Sequence, residues 1–231
     1  MTTLFDIPTT TVPVVDSDNE FPVRRIYCVG RNYAAHAREM GFDPDRDPPF
    51  FFCKPADSLV YCAPGSVAEA PYPSLTENYH HEIELVVAIG KGGSNIAVED
   101  ANEHIYGYAV GLDMTRRDLQ IAMREKGRPW EVGKAFDASA PIGPIHPKAV
   151  VGLIEKGKIF VEVDGNMRQQ SDLTHLIWST PEVIANLSTL FELKPGDLIY
   201  TGTPEGVGPV VRGNIMRGGV ETLGEIQVKV V

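Results

Sequence analysis

Glu82 and Glu84 stand one residue apart in the run His80-His81-Glu82-Ile83-Glu84, just ahead of the apolar stretch Leu85-Val86-Val87-Ala88-Ile89. Alternate side chains of a strand share a face, so the two carboxylates would point one way and Ile83 the other. Like charges held close and partly desolvated repel unless a proton or a cation lies between them. The pair therefore asks for a cation, although a solvated strand end would present the same two residues. Asp113 follows the apolar run from Tyr106 to Leu112, where a lone carboxylate is costly unless something satisfies it. It can cap a following helix, or it can be a third ligand. Three carboxylates facing one ion, with positions left open for water and substrate, form the hard oxygen set that Mg²⁺, Mn²⁺ or Ca²⁺ prefers.

His36 and Glu39 are three residues apart on a predicted short helix, so their side chains share a face. A carboxylate beside an imidazole raises its basicity and fixes its orientation, as a general base for water requires; an exposed polar helix face has the same pattern. Lys134 lies in the mostly apolar stretch from Trp130 to Asp137, where a buried ammonium needs an anion. A substrate carboxylate, an enolate, or a neighbouring Asp137 or Glu131 can supply one. Lys54, after Phe50-Phe51-Phe52-Cys53, has the same two readings. The glycine-rich run Thr201-Gly202-Thr203-Pro204-Glu205-Gly206-Val207-Gly208-Pro209 can offer backbone N–H groups to an anion, but it opens no helix and lacks the Lys-Ser/Thr of a phosphate loop.

The elements that must position these groups are short. Gly and Pro number 22 and 18 of 231 residues, which favours many turns and few long helices. Strands are predicted over residues 25–29, 50–53, 84–89, 105–112, 158–163, 197–200 and 225–231. Three helices are predicted: one from Tyr33 to Met40, capped by Asn32 and stopped at Gly41; one opened by a Thr115/Asp118 capping box and running to Arg124; and one opened at Thr180-Pro181, with Val183, Ile184, Leu187, Leu190 and Phe191 as its core stripe. Residues 1–20 lack periodicity and read as an arm that can dock as an edge strand, before one domain over 21–231. A net charge of −10 argues against nucleic acid and against anionic membrane surfaces. With no membrane-length apolar run, and with no Lys or Arg before Arg24, the expected location is cytoplasmic. Cys28, Cys53 and Cys62 have neither disulfide nor zinc-site spacing, and are expected to be reduced thiols.

Five segments, Gly30-Arg31-Asn32-Tyr33, residues 80–84, Gly111 to Asp118, Trp130 to Asp137 and Thr201 to Gly208, resemble the fumarylacetoacetate hydrolase family in order and spacing, over roughly residues 21–231. The stretch Pro48 to Pro55 is similar to that of small members acting on fumarylpyruvate in gentisate breakdown. The resemblance implies an α+β, mostly β fold: a mixed β-roll with a few short helices and a lid helix, assembled as a homodimer. It implies Mg²⁺ or Mn²⁺ on Glu82, Glu84 and Asp113, with Ca²⁺ as a further candidate, and His36 and Glu39 activating water from the lid. Gln120 and Lys134 match positions at the oxo and enolate oxygens, and Arg31, Arg117 and Thr203 are carried as substrate contacts. The implied activity is hydrolytic C–C cleavage of a small 2,4-dioxo acid. Oxaloacetate decarboxylation or tautomerisation and isomerisation or hydration of dienoic 2-oxo acids are the rival chemistries, and a cation-stabilised binding protein is the non-enzymatic alternative.

Overall fold

The computed structural model describes residues 3–39 and 47–231, with only the backbone of residues 37–39, so the predicted helix end at Met40 and Gly41 lies outside the described residues. An eight-stranded mixed sheet organises the chain. Its strands run in the order Phe50–Lys54, Arg25–Gly30, Asp197–Tyr200, Ile83–Ile89, Ile105–Leu112, Ala140–Ile142 and Leu59–Tyr61, with the short strand His146–Pro147 also paired to Ile105–Leu112. The middle strand, Ile83–Ile89, is buried at every residue because both its faces are covered. Ile83, Leu85, Val87 and Ile89 enter the larger core, whereas Val86 and Ala88 enter a smaller one on the other face. Each such aliphatic side chain, fully buried, contributes about 1.5–3 kcal/mol.

A second sheet of five strands, Asn166–Asp172, Lys158–Val163, Ile215–Val220, Gly224–Val230 and Val67–Ala70, closes the larger core with Ile159, Val161, Met216, Ile226 and Val228. A third, of three short strands, sets Tyr79–His81 between Thr115–Arg116 and Gly208–Val210. The result is α+β and mostly β, a rolled mixed sheet with few, short helices. On the smaller core, Thr11–Pro13 pairs antiparallel with Glu20–Pro22, and Val12, Val14, Phe21 and Val23 pack there.

The helices differ from expectation in how they begin. Asn32 does not cap the helix Ala34–Glu39: its side chain donates to the carbonyls of Trp178 and Thr201, at 2.9 and 2.8 Å, and accepts the Trp178 N–H at 2.7 Å. Thr115 lies in a strand, so no Thr115/Asp118 capping box forms; the helix is Arg117–Glu125, and Asp118 accepts from Thr76 and from the amides of Glu77 and Leu119. The helix Thr180–Leu190 begins after Ser179, whose amide and hydroxyl both donate to Glu182. Its Val183, Ile184 and Leu187 are buried as predicted, but Leu190 and Phe191 are exposed, Phe191 with its ring 5.2 Å from that of Tyr27.

Candidate active site

Two neighbouring antiparallel strands bring the three acids together. Ile83 pairs with Leu112, which puts Glu82, just before one strand, beside Asp113, just after the other; the Asp113 amide donates to the Glu82 carbonyl at 2.8 Å. Glu84 lies one pleat further on the same face as Glu82, opposite the face that carries Ile83 into the core. One oxygen from each of Glu82, Glu84 and Asp113 lies within 4.8 Å of the others, and all three residues are buried.

Such a cluster stands only because cations surround it. Lys134, itself 2% exposed, places Nζ 2.8 Å from Glu82, 2.6 Å from Asp113 and 2.7 Å from the Thr115 hydroxyl. Burial works against this ammonium, but Asp113 and Glu82 more than offset it and hold its pKa above the ordinary lysine value. Lys134 is therefore a charged donor and not a base. Arg117 bonds Glu82 through Nη2 and the Gln120 carboxamide oxygen through Nη1 at 2.5 Å. Burial opposes the Glu82 charge too, yet Lys134, Arg117 and His36 outweigh it and keep this carboxyl well below its usual range. Lys54 braces Asp113 from behind: its Nζ lies 2.8 Å from Oδ1 and donates to the carbonyls of Met114 and Lys134.

Glu84 is the odd member. It accepts one hydrogen bond, from the Gly202 amide at 2.7 Å, and burial first, then Asp113 and Glu82, push its carboxyl well above the usual range. Asp113 Oδ1 is buried without a well-aligned hydrogen bond. A carboxyl pushed toward its neutral form, within reach of two more buried carboxylates, fits a divalent cation that takes hard oxygen ligands.

The same cleft is lined by Arg31, His36, Phe50, Phe52, Gln120, Arg124, Trp130 and Thr203. His36, from the helix Ala34–Glu39, is 6% exposed; the side chain of Glu39 lies outside the described residues. Lys134 ends the four-residue helix Glu131–Lys134, and Gly133 lets it approach the longer helix: a Cβ there would fall 2.8 Å from the Gln120 nitrogen. Gly202, at φ +102°, turns the Thr201–Pro204 loop against Asn32, again with no room for a Cβ.

Thr203 has a partner that sequence reasoning missed. Gln169, fully buried in a strand of mostly polar residues, donates through Nε2 to Thr203 Oγ1 at 2.8 Å and to the Pro204 carbonyl at 2.7 Å. Its Oε1 accepts the Ile83 amide at 3.1 Å and lies 3.0 Å from His81 Nδ1. Trp130 and Arg124 were missed as well. For Arg124 a signal existed: it stands seven residues after Arg117 on one helix face.

A rolled mixed sheet that presents three buried carboxylates and their lysine and arginine partners to a cleft holding a histidine defines a divalent-metal enzyme. The chain belongs to the fumarylacetoacetate hydrolase family: the model of that family's C-terminal domain matches residues 25–231. It is 50% identical to a fumarylpyruvate hydrolase of Ralstonia sp over 181 residues, 78% of this chain and 92% of that protein. A solved structure of fumarylpyruvate hydrolase from Pseudomonas aeruginosa, in complex with Mn²⁺ and pyruvate, superposes with a TM-score of 0.98 at 62% identity, covering 100% of this chain and 99% of that one. A mitochondrial oxaloacetate tautomerase of Arabidopsis thaliana is 41% identical over 206 residues, 89% of this chain and 90% of that protein.

Proposed function

We propose that this protein is an acylpyruvate hydrolase that cleaves the C3–C4 bond of a 2,4-dioxo acid, with fumarylpyruvate as its principal substrate and fumarate and pyruvate as products. The observation that carries the reading is the convergence of Glu82, Glu84 and Asp113 with His36, Gln120 and Lys134 on one cleft. Similarity to proteins described as fumarylpyruvate hydrolases supports the choice of acyl group.

Glu82, Glu84 and Asp113 would hold Mg²⁺ or Mn²⁺, since oxygen ligands discriminate poorly between the two. When bound, the ion supplies Lewis acidity at the 1-carboxylate and 2-oxo end of the substrate, which makes a pyruvate enolate a better leaving group. His36 takes a proton from the water that adds at C4, with Glu39, three residues on, as its orienting partner. As the C3–C4 bond breaks, the Gln120 carboxamide N–H and the Lys134 ammonium, with one N–H turned from the Thr115 hydroxyl, donate to the oxygen that gains charge at C2. The bond between Arg117 and the Gln120 oxygen turns that N–H₂ toward the cleft. The protonated His36 then returns its proton to C3, and the acyl half departs as a carboxylic acid that loses its remaining proton to solvent. Arg31 and Thr203 hold the substrate in place. The same reading carries a homodimer and a cytoplasmic place in gentisate breakdown; sedimentation tests the first.

The test is an absorbance assay of the purified protein, with Mg²⁺ or Mn²⁺, against fumarylpyruvate, other acylpyruvates and oxaloacetate. His36→Ala should lower hydrolytic kcat by about 10²–10⁴-fold. A tautomerase reading has its own support, in the similarity to the Arabidopsis protein. It replaces the first if oxaloacetate gives the highest kcat/KM and if His36→Ala leaves that turnover intact.

A further inference from the structure

The histidine and the carboxylates reach the cleft from different parts of the chain. Glu82, Glu84 and Asp113 stand on two paired strands of the large sheet, whereas His36 stands on the helix Ala34–Glu39. A helix of six residues is too short to be stable by itself, so its attachments decide where His36 sits. At the root of the helix, Tyr33 forms an antiparallel bridge with Leu176, and the Asn32 carbonyl accepts the Ile177 amide at 2.8 Å.

Asn32 is fully buried, and its carboxamide ties three strands of chain together. Nδ2 donates to the Trp178 and Thr201 carbonyls at 2.9 and 2.8 Å, and Oδ1 accepts the Trp178 amide at 2.7 Å. A carboxamide suits this place because one neutral side chain must donate twice and also accept. Thr201 leads on to the carboxylates. Its amide and hydroxyl donate to the Leu85 carbonyl at 3.0 and 2.9 Å, and the next amide, that of Gly202, donates to Glu84 at 2.7 Å. Gly202 also packs against Asn32 so closely that a Cβ there would lie 2.7 Å from the Asn32 Cβ. Asn32 thus stands between the loop that bonds Glu84 and the helix that carries His36. Trp178 reaches further: its indole N–H donates to the Asp47 carbonyl at 3.1 Å, so the chain is bonded to this one residue both before and after the helix.

We propose that Asn32 and Trp178 are positioning residues for hydrolysis: together they clasp the helix that carries His36 and fix that base against the carboxylate cluster. This rests on the reading of His36 as the base that activates water, and adds what holds it in place. Neither Asn32 nor Trp178 is among the described residues that line the cleft, so both act through His36. A misplacement of about 1 Å can cost a reaction about 10²-fold, which makes kcat the quantity the clasp controls.

The experiment is a double-mutant cycle on fumarylpyruvate turnover by the Mn²⁺-loaded protein. It measures kcat and KM for the wild type, Asn32→Ala, Trp178→Phe and His36→Ala, and for each of the first two variants combined with His36→Ala. Asn32→Ala should lower kcat at least about 30-fold with KM within about threefold. Added to His36→Ala it should lower the residual kcat by less than about threefold, because no base is left to misplace. Mn²⁺ affinity of Asn32→Ala, read by titration calorimetry, should stay within about threefold of the wild type's, since the carboxylates stand on the sheet. Asn32→Ala leaves buried backbone groups unpaired and lowers Tm. Trp178→Phe keeps every backbone bond of the clasp and removes only the indole N–H, so it carries the test where the first variant does not fold. Its kcat should fall by about three- to tenfold, again only while His36 is present. Losses that multiply with that of His36→Ala, a kcat loss matched by an equal loss of Mn²⁺ affinity, or wild-type kcat in either folded variant overturn the clasp and leave His36 standing as the base. Wild-type turnover by His36→Ala overturns the base itself, and the clasp with it.

Discussion

Gln169 carries no charge and lies behind Thr203, yet it decides which way that hydroxyl can donate. The end of its carboxamide that faces the Pro204 carbonyl must be the N–H₂, and the end that receives the Ile83 amide must be the oxygen. The same oxygen is then the acceptor for His81 Nδ1–H, and the N–H₂ donates to Thr203 Oγ1. Thr203 receives a bond from behind, so its own proton is left for the cleft it lines. In Gln169→Glu the carboxylate would accept from Thr203 and draw that proton away. The expected outcome is a rise in KM of about tenfold with kcat within about threefold, the size of one hydrogen bond to a charged substrate group. Thr203→Val should match it, Thr203→Ser should recover most of the loss, and the double variant should be no worse than either single. A fall in kcat alone would mean that Gln169 serves the fold and not substrate binding.

At the scale of elements, Gln120 and Lys134 depend on two helices that touch through Gly133, whose Cα faces the Gln120 backbone. A methyl group there has backbone atoms under 3.0 Å away, so Gly133→Ala must push the helices apart. Overpacking of this kind costs about 1–3 kcal/mol, and here it also withdraws Lys134 from Glu82 and Asp113. Denaturant melts should show that loss, and kcat should fall by more than about tenfold at temperatures where the variant is fully folded. Full activity in the folded variant would show that the helix contact does not position Lys134. What was legible in the chain follows the same division. Alternation and β-branched runs marked Ile105–Leu112, Lys158–Val163 and Asp197–Tyr200 with the bounds they have in the fold, because there a buried face dictates residue type. The spacing of Glu82 and Glu84 was legible for the same reason. Asn166–Asp172 was not: its residues are polar and lack alternation, and it is a strand by pairing with Lys158–Val163, which hid Gln169. Thr115 and Asn32 looked like helix caps, but distant partners, Lys134 for one and Trp178 and Thr201 for the other, took their side chains.

For the whole molecule, protons and a divalent ion compete for the same fold. Burial lowers the pKa of both His80 and His81, and Arg117 adds to it at His80, whose value is pushed down to about 4. A histidine whose folded pKa is depressed stabilises the fold above its unfolded value, and that contribution is lost as pH falls from about 6.5 through about 4. Glu84 acts in the opposite direction. Its folded pKa is raised, so its contribution is full below the ordinary value of 4.5 and is lost as pH rises through the folded one. A bound divalent ion takes the place of the Glu84 proton and removes that second loss. The metal-stripped protein should therefore lose more Tm than the Mn²⁺-loaded protein as the buffer is raised above the ordinary carboxylate range. The gain in Tm on adding Mn²⁺ should grow with pH, and titration calorimetry in two buffers of different ionisation enthalpy should find proton release as the ion binds. Glu84→Gln isolates the cause, since a neutral amide has no proton to exchange: its metal-free Tm should fall less with rising pH than the wild type's, and Mn²⁺ should raise it little. A Mn²⁺-induced gain independent of pH in the wild type would mean that Glu84 is ionised without the ion, with Lys134, Lys54 and Arg117 alone balancing the three acids.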